Sequence, residues 1–308
     1  MARLTILLPE LRRLAASPLP GRWLARGDRL ADVKPGRNAA LRGCFEFLGS
    51  AVPAAALLRS LEAGDAAGTL WVRADPCYVV VDATAVRMLA WGNLALTAEQ
   101  GSELARALRP LFGDAGFPLE PAAPEHWYLR CPGGVRLPTF ADPHDVLGAD
   151  LLPHFPHGDN ERQWRHLLNE AQVILHNHPV NIARAQRGQV PANSVWFWGA
   201  GQLPEWVRTP FTRAVSSDPL LGALARRAGI AVESLPGAAE LRVDANDALL
   251  LDLAHSGAPD GAWFEAVGAL LAARRVAALE LRFESGEAVV YKSRHRWRFW
   301  RRPVVPAA

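Results

Sequence analysis

Short apolar runs of strand length alternate along this chain with apolar residues spaced three and four apart. Residues 4–8, LTILL, predict a first strand. Residues 10–30 hold a weak leucine pattern (Leu11, Leu14, Trp23, Leu24), and residues 34–38 form a turn. Helices are expected over 39–48 and 53–63, the second through Leu57, Leu58 and Leu61. Strands are expected at 69–73 and 77–82, separated by Arg73-Ala74-Asp75-Pro76. A helix should start at the N-cap Thr97 and reach Leu111. Residues 113–124 read as loop and 127–130 as a strand, which makes 69–140 an α+β unit. Residues 141–160, rich in Pro, Gly, Asp and His, read as a loop. Next comes a helix over 161–175 with Trp164, Leu167, Leu168, Ala171, Ile174 and Leu175 on one face, ended by Pro179.

Residues 176–201, HNHPVNIARAQRGQVPANSVWFWGAG, are dense in side chains that a core does not need. Asn181, Arg184, Arg187 and Asn193 precede a strand-like run at 195–198, and Gly199-Ala200-Gly201 closes it. Glycines just after a strand let backbone approach a ligand, so this stretch predicts one pocket. The plainer reading is a turned loop whose asparagines bond their own backbone. Beyond it, helices are expected at 218–229 and 260–275 and a strand at 248–253. Two further strands, 276–283 and 288–291, should form a hairpin. Strands alternating with helices predict an α/β sheet.

With 50% hydrophobic and 21% charged residues over 308, the balance is that of an ordinary soluble globular protein. No apolar run is long enough for a transmembrane helix, and the apolar core near the N-terminus is too short for a signal peptide. Cys44, Cys77 and Cys131 are scattered without metal spacing and read as buried thiols of a cytoplasmic protein. The net charge of +3 is concentrated: residues 292–302, KSRHRWRFWRR, carry six cations and no acid. Their alternation predicts a strand with one basic and one apolar face, read first as an edge strand whose arginines face solvent; nucleic-acid or anionic-membrane binding is the lesser reading. His154-x-x-His157 and His176-x-His178 have zinc-like spacing but lack an obvious third ligand. Asp142-Pro143-His144-Asp145 reads as an Asx-type turn rather than an acid–base pair. Gly199-x-Gly201 lacks the third glycine of a dinucleotide fingerprint, and no Walker sequence or nucleophile elbow is present.

The central stretch resembles a segment of archaeal-type, cofactor-independent phosphoglycerate mutases, relatives of alkaline phosphatase. The resemblance rests on Asn181, Arg184, Gly188, Pro191, Ala192, Asn193, Gly199 and Gly201, and on Asp142, Pro143, His144 and Gly148 in ADPHDVLG. With LLNE, HPVN, RADP and the WRFWRRP tail, the chain also looks like bacterial RpfE-type regulatory proteins. The implied fold is an alkaline-phosphatase-like, mostly parallel sheet with helices on both faces and an inserted α+β unit. The expected division gives 1–68 and 177–308 to the core, 69–160 to the insertion and 161–176 to a connecting helix. The mutases use two divalent metals and a serine nucleophile. Here residues 6–8 run into Pro9-Glu10 rather than Asp-Gly, and Pro35-Gly36 is followed by Arg37-Asn38 rather than serine. The later metal pair falls on Asp260 and Phe264, and Phe283-Glu284-Ser285 stands where Asp-His should.

The expected function is therefore that of a non-catalytic, metal-free relative: a cytoplasmic, bacterial, regulatory pseudoenzyme that binds a phosphate ester or other small anion, or a protein partner. No cofactor is expected. Asn181, Arg184 and Asn193 would hold the anion, with Trp198, Gly199, Gly201, His178, Asp142 and His144 around it. Arg37 would place a cation where the mutases hold metal. The alternative is an active phosphoglycerate mutase or phosphatase with an altered metal set drawn from His144, His176 and His178.

Overall fold

The computed structural model describes residues 1–14, 21–82, 85–255 and 259–301; the expectations touching 15–20 and Arg302 lie outside them. The strands in chain order are β1 (Ala2–Leu8), β2 (Asp28–Arg29), β3 (Leu70–Val81), β4 (Val86–Trp91), β5 (Leu119–Ala123), β6 (His126–Cys131), β7 (Ser194–Gln202), β8 (Arg213–Val215), β9 (Ala231–Glu233), β10 (Ala248–Asp252), β11 (Val276–Phe283) and β12 (Ala288–Lys292). The chain divides into two compact units, residues 1–48 with 205–308, and residues 49–204. The second unit thus takes in residues 49–68 and 177–204, which the sequence reading had given to the core.

The first unit is a sheet in the order β2-β12-β11-β1-β10-β8-β9. Strands β11, β1, β10, β8 and β9 run parallel, and β12 and β2 add an antiparallel edge. Parallel strands are covered on both faces, so LTILL and ALLLD read as continuous rather than alternating apolar runs. Leu4, Ile6 and Leu8 pack with Leu249, Leu251, Leu279 and Leu281, and with Trp23, Trp263, Phe264 and Val267 of the helices Gly21–Arg26 and Gly261–Ala272. Leu7, Leu250, Leu41, Leu221 and Leu224 are buried outside that cluster. Leu7 and Leu250 lie on the alternate face of β1 and β10, and Leu41, Leu221 and Leu224 are buried residues of the helices Arg37–Arg42 and Pro219–Arg227. The unit is therefore α/β with a mostly parallel sheet, as the alternation predicts. Its chain leaves at residue 48 and returns at 205, and there Glu46 and Arg208 exchange two backbone hydrogen bonds of 2.8 Å each.

The second unit is antiparallel. Strand β3 is its hub, pairing with β7 along one edge and with β6 and then β4 along the other. RADP does not break β3: Pro76 falls where that second edge passes from β6, which ends its pairing at Arg73, to β4, which starts at Cys77. A strand accepts proline where no ladder bond is required of it. Residues 119–123, read as loop, form β5 against β6. One face carries the helices Ala98–Asp114, with its Thr97–Gln100 capping box, and Glu161–His176, whose Trp164, Leu167, Leu168, Ala171 and Leu175 are buried as the spacing predicts. Pro179 does not simply end that helix but starts another, Pro179–Gln186, from the N-cap His178. Helix 39–48 is also shorter than expected, giving way at Gly43.

The Gly199-Ala200-Gly201 closure lies under the helix Ala54–Glu62. A Cβ on Gly201 would stand 2.4 Å from Pro53 Cβ, and one on Gly199, at φ +65°, would stand 2.8 Å from Ala54 Cβ. The close approach these glycines permit is to the chain's own helix. The Gly201→Ala variant should lose on the order of 1–3 kcal/mol through overpacking, read as a lowered urea midpoint with unchanged slope.

Candidate functional site

Strands β1, β8, β10 and β11 present their carboxyl ends together, the place where open α/β sheets bind ligands. Asp252 ends β10, Ser216 and Asp218 follow β8, and Glu284 follows β11. Gly36 stands at φ 109°, a conformation that suits only glycine, and its N–H donates to Glu284 O at 2.7 Å. That turn delivers Arg37, the first residue of the short helix, into the cluster of acids.

The guanidinium is 5% exposed and lies between two carboxylates. Its Nη1 and Nη2 donate to Asp252 Oδ1 and Oδ2 at 3.0 and 2.6 Å. Its Nε donates to Asp218 Oδ2 at 3.1 Å, and Nη2 donates to the same oxygen. Glu284 Oε1 stands 3.6 Å from Nη1. The remaining acceptor capacity is taken up locally. Asp218 Oδ1 caps the next helix through Leu220 N at 2.8 Å, and Asp252 Oδ2 accepts from Ser216 Oγ at 2.7 Å. Burial works against the charge of Arg37, but Asp252 and Asp218 outweigh it and raise its pKa, so the cation is permanent. Burial would likewise raise the Asp218 pKa, yet Arg37 holds it below the ordinary carboxylate value.

A divalent cation bound to oxygen ligands sits about 2.0–2.6 Å from them. Here those positions are filled by guanidinium nitrogens, a serine hydroxyl and backbone N–H groups. The residues present therefore do not fit a metal at this place while Arg37 is there. Among the described residues, no group of three or more His, Cys, Asp or Glu is gathered for a metal elsewhere. His176 is exposed at the end of its helix, and His178 accepts from Val180 N at 3.3 Å as an N-cap. Asp218, Asp252 and Glu284 were missed in the sequence. The available signal was an acid closing an apolar strand, LLLD, and an acid before proline at a helix start.

The second unit collects Asp142, His144 and Trp198 through Trp91. His144 Nδ1 lies 2.9 Å from Asp142 Oδ1, and its ring meets Trp91 edge-on at 5.0 Å. Trp91 meets Trp198 at 5.5 Å. Both indoles donate to Asp75 Oδ2, at 3.3 and 2.8 Å, and Arg73 Nε donates to Asp75 Oδ1 at 2.8 Å. Asp75 of RADP is thus a buried hub, while His144 keeps 44% of its side chain exposed.

The rest of the central stretch meets the expectation of an anion pocket with main-chain partners instead. Asn181, 2% exposed, donates to Leu175 O and Ala192 O at 2.7 and 2.9 Å and accepts from Ala192 N. Asn193 exchanges two 2.8 Å bonds with the backbone of Val79. Arg184, 1% exposed, donates to Leu94 O, Ala95 O, Val190 O and Gln100 Oε1. Arg37 belongs to the first unit and these residues to the second.

No family model matches the chain. It is similar to the probable 2,3-bisphosphoglycerate-independent phosphoglycerate mutase of Geobacter sulfurreducens, 33% identical over 109 residues, which are 35% of this chain and 27% of that protein. It is similar to the 2,3-bisphosphoglycerate-independent phosphoglycerate mutase of Methanothrix thermoacetophila, 31% identical over 149 residues, 46% of this chain and 37% of that one. The chain thus spans only 27% and 37% of these two curated relatives. Among solved structures, a cofactor-independent phosphoglycerate mutase from Thermoplasma acidophilum aligns over 95% of this chain and 90% of that one, at 18% identity and a TM-score of 0.40.

Two outcomes follow from these geometries. Arg184→Ala should lower stability by on the order of 3 kcal/mol, because it strands buried carbonyls of Leu94 and Val190; thermal melting reads it. Arg37→Ala should cost about 3–5 kcal/mol at pH 7, because two buried carboxylates lose their counter-ion. In the native chain the depressed Asp218 pKa stabilises the fold above the ordinary carboxylate range and that contribution is lost as pH falls through it. In the variant Asp218 has lost that cation and its burial raises the pKa instead, so acid relieves it. The gap between the two proteins should therefore narrow from pH 7 to about pH 5, as measured by urea unfolding at both values.

Proposed function

We propose that this chain is a non-catalytic, phosphoglycerate-mutase-like protein that acts by binding a small anion or a protein partner, in a regulatory role of the RpfE type. The observation that carries the reading is Arg37. Two-metal phosphoryl transfer needs cations that clamp the attacking and leaving oxygens, with open coordination positions for both. A guanidinium supplies positive charge but no open position. It is held by five donor–acceptor contacts to Asp218, Asp252 and, more loosely, Glu284. Similarity to phosphoglycerate mutases supports the relationship; the arginine and the missing serine after Pro35-Gly36 support the loss of chemistry. For the ligand, the half-exposed His144 beside Asp142 and Trp91 is the better place than Arg184, whose donors are committed to carbonyls.

Metal content and turnover test this together. Protein purified without chelator should hold less than one zinc or manganese per chain. It should convert 3-phosphoglycerate no faster than a blank when manganese is added. Two bound metals about 3.5–4 Å apart, with turnover, would overturn the reading.

A further inference from the structure

Residues 292–301, KSRHRWRFWR, hold five cations and no acid. The expected edge strand is not formed; after β12 the chain turns into a single 3₁₀ helix, Ser293–Trp297. His295 is buried beneath it, while Trp297, Phe299 and Trp300 are 65%, 75% and 67% exposed. Three large aromatics projecting together from the surface are not explained by the core.

The segment is fastened so that they project. Arg298 Nη1 donates to Asp28 Oδ1 at 2.6 Å and to Arg26 O at 2.9 Å. Arg301 Nη1 donates to Gly27 O and Ala25 O at 3.2 and 3.3 Å. These two arginines turn inward and clamp the backbone on either side of Phe299 and Trp300. Lys292, Arg294 and Arg296 remain exposed beside them. The result is an apolar wedge rimmed by exposed positive charge.

We propose that this wedge docks on an anionic phospholipid surface. Aromatic side chains that carry both apolar body and polar edge favour the headgroup boundary, and basic residues beside them are drawn to anionic lipid. A single-stranded nucleic acid fits less well. Phe299 and Trp300 stand edge-to-face at 5.6 Å, and Arg296 covers one side of the Trp297 ring at 5.0 Å, so the rings do not form a platform of parallel open faces for successive bases. With two of the arginines committed to the body, few remain for a phosphate backbone. No described helix is long and apolar enough to cross a membrane.

Vesicle flotation of the full chain tests it; tryptophan emission is a poor probe because the chain has 11 tryptophans. The native protein should float with mixed phosphatidylglycerol and phosphatidylcholine vesicles and about tenfold less with phosphatidylcholine alone. The Trp297→Ala/Phe299→Ala/Trp300→Ala variant should lose about tenfold of that partitioning with an unchanged thermal melt, since the three side chains are exposed. Arg294→Glu/Arg296→Glu should lose the preference for anionic lipid. Failure of the native protein to float, or equal flotation of the triple variant, would overturn the proposal. So would a native chain that ignores vesicles and binds a single-stranded oligonucleotide.

Discussion

One buried cation holds together the carboxyl ends of the parallel sheet. Arg37 touches an acid after β8 and the acid that ends β10, and its own turn is bonded to the residue after β11. A cluster of carboxylates at the ends of strands repels itself unless a positive charge is supplied. In this chain the charge is covalently attached, so it cannot dissociate, exchange or expose a coordination position. Such a buried pair is weak evidence of extra stability, because desolvating the charges offsets much of their attraction. Its effect is geometric: it fixes Gly36, the helix behind it and the N-cap of Pro219–Arg227 in one arrangement.

The second unit solves a different problem, that of closing loops over an antiparallel sheet. Buried backbone groups in a loop need partners. Asn193 supplies them to the edge of β3 at Val79, Asn181 to the turn at Ala192, and Arg184 to a loop at Leu94. Side chains with several donors and acceptors suit this task, and so do those that bind anions. That overlap is why the central stretch reads as a pocket.

The legible parts of the sequence were those where burial imposes a period. The Trp164-to-Leu175 stripe, the Thr97 cap and the 276–291 hairpin all follow local rules and appear as the sequence predicts. RADP was misread because proline looks like a break until the gap between β6 and β4 is known. The short strands β8 and β9 carry too few residues to show a period. At the strand ends, Arg37 was singled out from its neighbours Pro35-Gly36, but its partners were not. Asp218 and Asp252 are 181 and 215 residues away, and only the topology joins them. In the tail, alternation of arginine and aromatic gave a false strand, because the chain turns into a 3₁₀ helix, after which Arg298 and Arg301 reach back to Asp28 and the backbone near it while Arg294 and Arg296 stay exposed.

The paired backbone bonds between Glu46 and Arg208 fix the two points where the chain leaves the parallel-sheet unit and comes back. Entry and exit lie side by side, as the two ends of a tight hairpin do. The intervening residues 49–204 are therefore a cassette in the engineering sense. Both crossings of the chain are held at that one place by the Glu46–Arg208 pair.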